Sequence, residues 1–163
     1  VSAATDPLAE TVGSGRVAVA EFSSEPLDPA RVLAAVTAPA TGGTALFCGS
    51  VRDHAPGVRG TVTGLDYSAH PDAVAVLRAV ATGVAAELSP RGALTVAVVH
   101  RTGFLAVGEP AILVAAGAAH RDLAFDACRL LVDRVKAEVP IWKREHVRGA
   151  GAHWVGLTAE QQP

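Results

Sequence analysis

The sequence predicts one α+β domain, a mixed or antiparallel sheet with helices packed on it. Strand-like and helix-like segments alternate in the order β-α-β-β-α-β-β-α-β-β. Short strand-to-strand returns mix with helical crossovers, a pattern that argues against a doubly wound parallel sheet. The chain of 163 residues is 50% hydrophobic and 18% charged, enough apolar material at this length for a real core. Alanine and valine dominate, methionine is absent and only 4% of residues are aromatic, which suits closely packed helices on a valine-rich sheet.

Taken in order, residues 1–15 read as a loose tail and the domain as 16–157. Arg16–Phe22 alternates as a first strand. Asp28 is placed to cap a helix with Pro29 in its first turn, running through Arg31, Leu33 and Val36. Pro39 and Gly42-Gly43 end that helix. Thr44–Val51 is mostly apolar and reads as a central or buried strand. A Gly- and Pro-punctuated loop, Arg52–Gly60, leads to the return strand Thr61–Tyr67. Pro71 opens a long helix over 71–88, with a stripe of Val74, Leu77, Ala81, Val84 and Leu88. Ser89-Pro90-Arg91-Gly92 stops it. Leu94–His100 and Ala111–Ala116 are strands, with Phe104-Leu105 a very short piece between two turns. Gly117 reads as the turn before a helix at about 120–138, whose buried stripe is Ala124, Cys128, Leu131 and Val135. Pro140 ends this helix because it cannot continue the hydrogen-bond ladder. Ile141–Val147 and a last strand near 153–157 follow, and 158–163 is a tail.

The formal net charge of −2 argues against nucleic-acid binding by bulk electrostatics. The longest apolar runs are interrupted before membrane-spanning length, so no membrane role is expected. Residues 1–15 lack the basic and apolar regions of a signal peptide, which makes a cytoplasmic protein the expectation. Cys48 and Cys128 are far apart and read as buried apolar residues. Six scattered histidines form no acid-backed cluster, so neither a metal nor a cofactor is expected. Low charge and high apolar content make an oligomer plausible.

Phosphate-loop, dinucleotide, zinc-protease and nucleophile-elbow motifs are absent. Cations at element ends stand out instead: Arg52, Arg59, His100-Arg101, His120-Arg121, Lys136, Lys143, Arg144 and Arg148. Arginine forks suit phosphate or carboxylate, and a helix start at Arg121 adds free N–H groups. A lysine held beside other cations gives up its proton more easily and can then serve as base or nucleophile. Structural readings stand beside each of these. Lys136 complements a helix C-terminus. Lys143-Arg144-Glu145 reads as edge-strand charge, and Trp142 as core or interface. His120 reads as a helix cap, His100 as a strand-end residue, and Arg52 as the partner of Asp53 or Asp66.

Together the segments Phe47–His54, Leu65-Asp66-Tyr67, His100–Glu109, His120–Phe125, Lys136–Glu145 and Gly151–Trp154 closely resemble the MoaE family, the large catalytic subunits of molybdopterin synthase. The signals HR-x-G-x-L-x-x-GE, HR-x-x-AF and K-x-x-x-P-x-WK-x-E occur in that order, and the resemblance spans roughly 16–157. One departure is Ser68-Ala69-His70-Pro71, where many members place Glu and an aromatic residue after the tyrosine.

The resemblance implies an α/β hammerhead-like fold and a homodimer. Each copy would bind a small ubiquitin-like sulfur-carrier subunit with a C-terminal Gly-Gly, giving a heterotetramer. It implies sulfur transfer from the carrier's thiocarboxylate to cyclic pyranopterin monophosphate, two transfers forming the molybdopterin dithiolene. Lys136 and Lys143 match the catalytic lysines. Arg52, His120 and Arg121 match substrate-binding residues, the last two partly serving the neighbouring subunit. Phe47, Arg101 and Arg148 become candidate contacts to substrate or carrier tail. The alternative is a non-catalytic dimeric scaffold for the carrier, which would need neither lysine. A phosphate-handling sensor is disfavoured because no Gly-rich phosphate loop is present.

Overall fold

The computed structural model describes residues 15–54 and 60–155. The expected tails lie outside these, apart from Gly15, and so does Arg59. The elements run β1 (Gly15–Ser23), α1 (Pro29–Val36), β2 (Gly43–Ser50), β3 (Val62–Ala69), α2 (Ala73–Leu88), β4 (Leu94–Arg101), β5 (Gly103–Ala106), β6 (Pro110–Ala118), α3 (Arg121–Glu138), β7 (Ile141–Val147) and β8 (Gly151–Trp154). They build two four-stranded sheets, ordered β1-β4-β6-β2 and β5-β3-β7-β8. Among the described residues only the β1–β4 pairing is parallel. The α+β expectation holds. The short Phe104-Leu105 piece is a full partner of β3, which adds a strand to the expected order.

The first sheet is covered on both faces. β4 and β6 are buried almost throughout, as expected for strands that read as continuous apolar runs. Their Val96, Val98, Val114 and Ala116 side face α2 and α3. Ala97, Val99, Leu113 and Ala115 face α1 on the other side, against Val32 and Val36. The α1 start follows from its sequence: Pro29 occupies the first turn and the Asp28 carboxylate accepts the Ala30 N–H at 2.8 Å. The α3 stripe of Ala124, Cys128, Leu131 and Val135 is buried as its spacing predicts.

Four local expectations change. β2 lies at a sheet edge, and its outward residues Leu46 and Cys48 are exposed; an apolar run alone does not separate a central strand from an edge that faces a partner. α2 begins at Ala73, and its inner face uses Ala73 and Val80 while Val74 is exposed. Gly117 is no turn residue: it sits inside β6, where a Cβ would fall 2.1 Å from the Val36 carbonyl oxygen. The stretch Ala73–Arg91 is also long and apolar enough by composition to cross a membrane, contrary to the expectation from apolar runs. It packs instead on β1 and α3 as the core helix of the first sheet.

The second sheet joins the end of the first through a separate apolar cluster. Val62, Leu65, Leu105 and Val147 pack there with Val51 from beyond β2 and Ala111 from β6. At the hinge between the sheets, Glu109 closes the β5–β6 turn. Its carboxylate accepts the Ala106 N–H at 2.6 Å, and its own N–H donates to the Ala106 carbonyl. Gly108 takes φ +92° in this turn, a conformation that favours glycine. The Gly-Glu pair of the HR-x-G-x-L-x-x-GE signal therefore has a structural use.

Candidate active site

The helix stop at Pro140 shapes the site. α3 ends at Glu138, and the Val139 N–H still bonds back to the Val135 carbonyl at 3.1 Å. The Pro140 carbonyl then accepts the His70 N–H at 3.1 Å, which ties the reversal to the loop before α2. The chain leaves at once as β7, an interior strand of the second sheet. The expected edge-strand placement of Lys143-Arg144-Glu145 is thereby corrected. Side chains alternate across β7. Ile141, Lys143 and Glu145 face the first sheet, while Arg144 and His146 face outward.

Between the two sheets lies a cavity of about 470 Å³. Lys136, from the last turn of α3, and Lys143, from β7, both line it, so the Pro140 reversal brings the two residues to one cavity. Phe47 and Arg52 line the same cavity. The Lys136 ammonium lies 5.7 Å from the centroid of the Phe47 ring, within cation–π range. Arg52 forms no ion pair among the described residues: Asp53 pairs with His54 at 2.8 Å, and Asp66 with Arg144 and His146. Its guanidinium therefore remains available to an anion.

Three further polar residues line the cavity: His100, one of the cations at element ends, and Tyr67 and Glu145, to which the sequence reading gave no site role. The Glu145 side chain is 3% exposed, and Oε1 lies 3.4 Å from the Lys143 ammonium. Its Oε2 has no hydrogen-bond partner among the described residues, and His153 Nε2 stands 3.7 Å away. The His100 ring packs edge-on against Tyr67, with centroids 5.1 Å apart. Burial holds the His100 imidazole below its ordinary range, against the opposing pull of its bond to the Arg101 carbonyl. Burial first, and the Glu145 carboxylate second, push the Tyr67 phenol up. Strand alternation contained the signal for Glu145, two residues after Lys143, and for Tyr67, two after Leu65. Nothing in the one-dimensional pattern brings His100 beside them, because β3 and β4 belong to different sheets.

The other candidates lie elsewhere. His120 and Arg121 stand at the start of α3, exposed; Arg121 pairs with Asp122 at 3.7 Å, and the His120 side chain makes no capping bond. At 1.5 Å rise per residue, the helix puts about 22 Å between Arg121 and Lys136. Arg101 is buried, with Nε and Nη1 unpartnered among the described residues, and does not line the cavity. Arg148 is exposed in the β7–β8 turn. Trp142 is half-buried against His70. Cys128 is buried as expected; its thiol donates to the Val114 carbonyl, and burial pushes the thiol up. Among the described residues no cluster of His, Cys, Asp and Glu is suited to a metal ion.

The cavity thus presents three cationic side chains, Arg52, Lys136 and Lys143, against one buried carboxylate, Glu145. Such a balance favours an anionic ligand. Cations gathered on one cavity suit the stabilisation of negative charge that develops during a reaction.

Comparison with known proteins agrees on one family. A family model described as MoaE protein matches residues 22–138, a span that includes Arg52, His120, Arg121 and Lys136 and stops before Lys143. Molybdopterin synthase catalytic subunit 1 of Mycobacterium tuberculosis is 40% identical over 149 residues, covering 91% of this chain and 98% of that protein. The catalytic subunit of Thermoplasma volcanium is 31% identical, covering 82% and 95%. Among solved structures, molybdopterin synthase from Staphylococcus aureus superposes with a TM-score of 0.75 at 30% identity, covering 84% of this chain and 96% of that one. A MoaE protein from Burkholderia ambifaria gives 0.66 at 30% identity, covering 86% and 88%. With the family model matching most of the domain and a relative 40% identical along nearly its whole length, this chain belongs to the MoaE family.

Proposed function

We propose that this chain is the catalytic subunit of a molybdopterin synthase, transferring sulfur from the C-terminal thiocarboxylate of a small ubiquitin-like carrier to cyclic pyranopterin monophosphate. Two transfers would complete the dithiolene. The observation that carries the reading is the convergence of Lys136 and Lys143 on one cavity from opposite sides of the Pro140 reversal. A scaffold has no use for two cations lining one cavity.

The chemistry sets the demand. A thiocarboxylate is an anion, and the pterin carries a phosphate. Bringing them together costs Coulomb repulsion, which grows as water is excluded. Arg52, Lys136 and Lys143 offset it. Lys143 is steadied by Glu145, so its role in this reading is orientation of the bound groups. Lys136 has no carboxylate partner among the described residues and rests on the Phe47 ring. It is therefore the better candidate to stabilise the anionic tetrahedral intermediate at the thiocarboxylate carbon and to hand over a proton. His120 and Arg121 lie too far along α3 to serve this cavity within one chain. In a homodimer they would bind substrate phosphate in the neighbouring copy's cavity, and with one carrier per copy the assembly is a heterotetramer.

The test mixes the protein with thiocarboxylated carrier and cyclic pyranopterin monophosphate and measures dithiolene product. Wild type should form product, and Lys136→Ala should lose about 10²-fold or more in rate. Full activity in Lys136→Ala, or none in wild type, overturns the reading.

A further inference from the structure

His100 is a buried titratable residue in the cavity that the proposed transfer leaves unused. Its Nδ1 lies 2.7 Å from the Arg101 carbonyl oxygen. A carbonyl only accepts, so Nδ1 carries the ring hydrogen and the neutral ring keeps its lone pair on Nε2. The ring is clamped between Phe22, 5.9 Å away, and Tyr67, 5.1 Å away between centroids. Nε2 has no hydrogen-bond partner among the described residues, although the residue lines the cavity. The tautomer and ring position are fixed by the fold, and one proton acceptor is left over.

The other polar groups facing this space do not offer the same. Arg52, Lys136 and Lys143 are cationic. Tyr67 holds its proton more tightly than an ordinary phenol. Glu145 is committed to Lys143, and its second oxygen is buried next to His153. His54 is exposed and bonded to Asp53.

Sulfur transfer, on the function proposed above, creates a need for such an acceptor. When the thiocarboxylate sulfur displaces an oxygen leaving group from a pterin carbon, the carrier is left joined through a thioester. Its release requires that the acyl C–S bond break and a C–O bond form. We infer that His100 Nε2 is the general base that takes a proton from the water attacking this thioester. In that step the water oxygen bonds to the acyl carbon, and its proton goes to Nε2. The electron pair of the C–S bond leaves on sulfur, which stays on the pterin as thiolate. The imidazolium returns the proton to that sulfur or to solvent, and the carrier departs as its carboxylate. No oxidant or reductant is consumed.

The inference rests on the proposed transfer, and the experiment separates the two. Thiocarboxylated carrier and cyclic pyranopterin monophosphate are mixed with the full chain. The carrier is then followed by intact-mass spectrometry as thiocarboxylate, covalent pterin adduct and free carboxylate. In His100→Gln and His100→Ala, adduct should form at near the wild-type rate and be released about 10²-fold more slowly. Free imidazole should restore release in His100→Ala but not in His100→Gln, where the side chain fills the space. Thermal melting checks that both variants fold; should His100→Ala fail, the adduct readout stands on His100→Gln. Release at the wild-type rate, equal slowing of formation and release, or absence of imidazole rescue in folded His100→Ala overturns the assignment. Wild type that forms neither adduct nor product overturns the parent reading, and this one with it.

Discussion

The Lys143 ammonium and the Glu145 carboxylate sit two residues apart on one face of β7, 3.4 Å from each other, with the glutamate side chain 3% exposed and the lysine 42%. The pair is asymmetric. The lysine reaches the cavity, while the carboxylate is committed to the interior. Removing the lysine therefore leaves a buried charge without its counter-ion, a more costly defect than the loss of an exposed pair. Lys143→Ala should lower unfolding free energy by about 1–3 kcal/mol, the exposed end of the pair keeping it below the fully buried limit. Lys136→Ala, with no carboxylate to orphan, should fall within about 0.5 kcal/mol of wild type. Adding Glu145→Gln to Lys143→Ala should recover part of the loss. Urea titrations with a constant slope check this; equal destabilisation by both lysine variants contradicts it.

On the opposite face of the second sheet, Asp66 Oδ2 accepts from Arg144 Nη2 at 2.8 Å and from His146 Nε2 at 2.6 Å. Burial alone would raise the Asp66 carboxyl, but these two hydrogen bonds, with the charges behind them, hold it below its usual range. The folded protein thus binds this proton less readily than the unfolded chain. The stabilisation is complete above the unfolded value of about 3.9 and is lost as pH falls through the lower folded value. Asp66→Asn should be less stable than wild type at pH 7 by about 1 kcal/mol, discounted for solvent screening. The two should converge as pH falls through the lowered folded value. Melting curves across pH 2–7 test it, and a gap that persists at the acid end assigns the loss to packing instead.

The fold was legible where one face of an element has one neighbour. The α3 stripe and the Asp28–Pro29 start read directly, because helical spacing and capping chemistry are local. β2 did not: Leu46 and Cys48 look like core residues, but their exposure depends on which strands lie beside β2 and what covers its outer face. The site divides the same way. Lys136 and Lys143 flank a proline, and the reversal that brings them together is written into a few residues. The meeting of His100, Tyr67 and Glu145 requires two sheets to close on each other, and no periodicity reports that. Gly117 is the reverse case. A residue type that signals turns is used here for close packing.

That packing gives a sharp prediction. A Cβ at Gly117 would lie 2.1 Å from the Val36 carbonyl oxygen and 3.2 Å from Thr41 Cγ2. The first contact is with backbone, which cannot rotate away. Gly117→Ala must push α1 off the first sheet, at a cost of about 1–3 kcal/mol or more. Gly83, on α2, has only the Arg134 Nη1 atom, 3.8 Å from an added Cβ. Gly83→Ala should stabilise by about 0.5–1 kcal/mol through helix propensity. Thermal unfolding of the two variants should therefore move in opposite directions, and a neutral Gly117→Ala would mean that α1 is not seated as described.

The last prediction concerns the about 22 Å of helix between Arg121 and Lys136. If His120 and Arg121 complete the cavity of a second copy, a defect at one end of α3 and a defect at the other reside in different sites of one dimer. Lys136→Ala and Arg121→Ala should each be impaired alone. In a mixed dimer, one cavity then carries both defects and the other carries none. Random exchange at equal amounts makes about half of the dimers mixed, each with one intact cavity of two, so activity should recover to about a quarter of wild type. The measurement is dithiolene formation before and after subunit exchange, against unmixed controls. A same-chain arrangement predicts no recovery, because every cavity would keep a defect. Recovery therefore distinguishes a cavity shared between copies from one that α3 of a single chain would have to span.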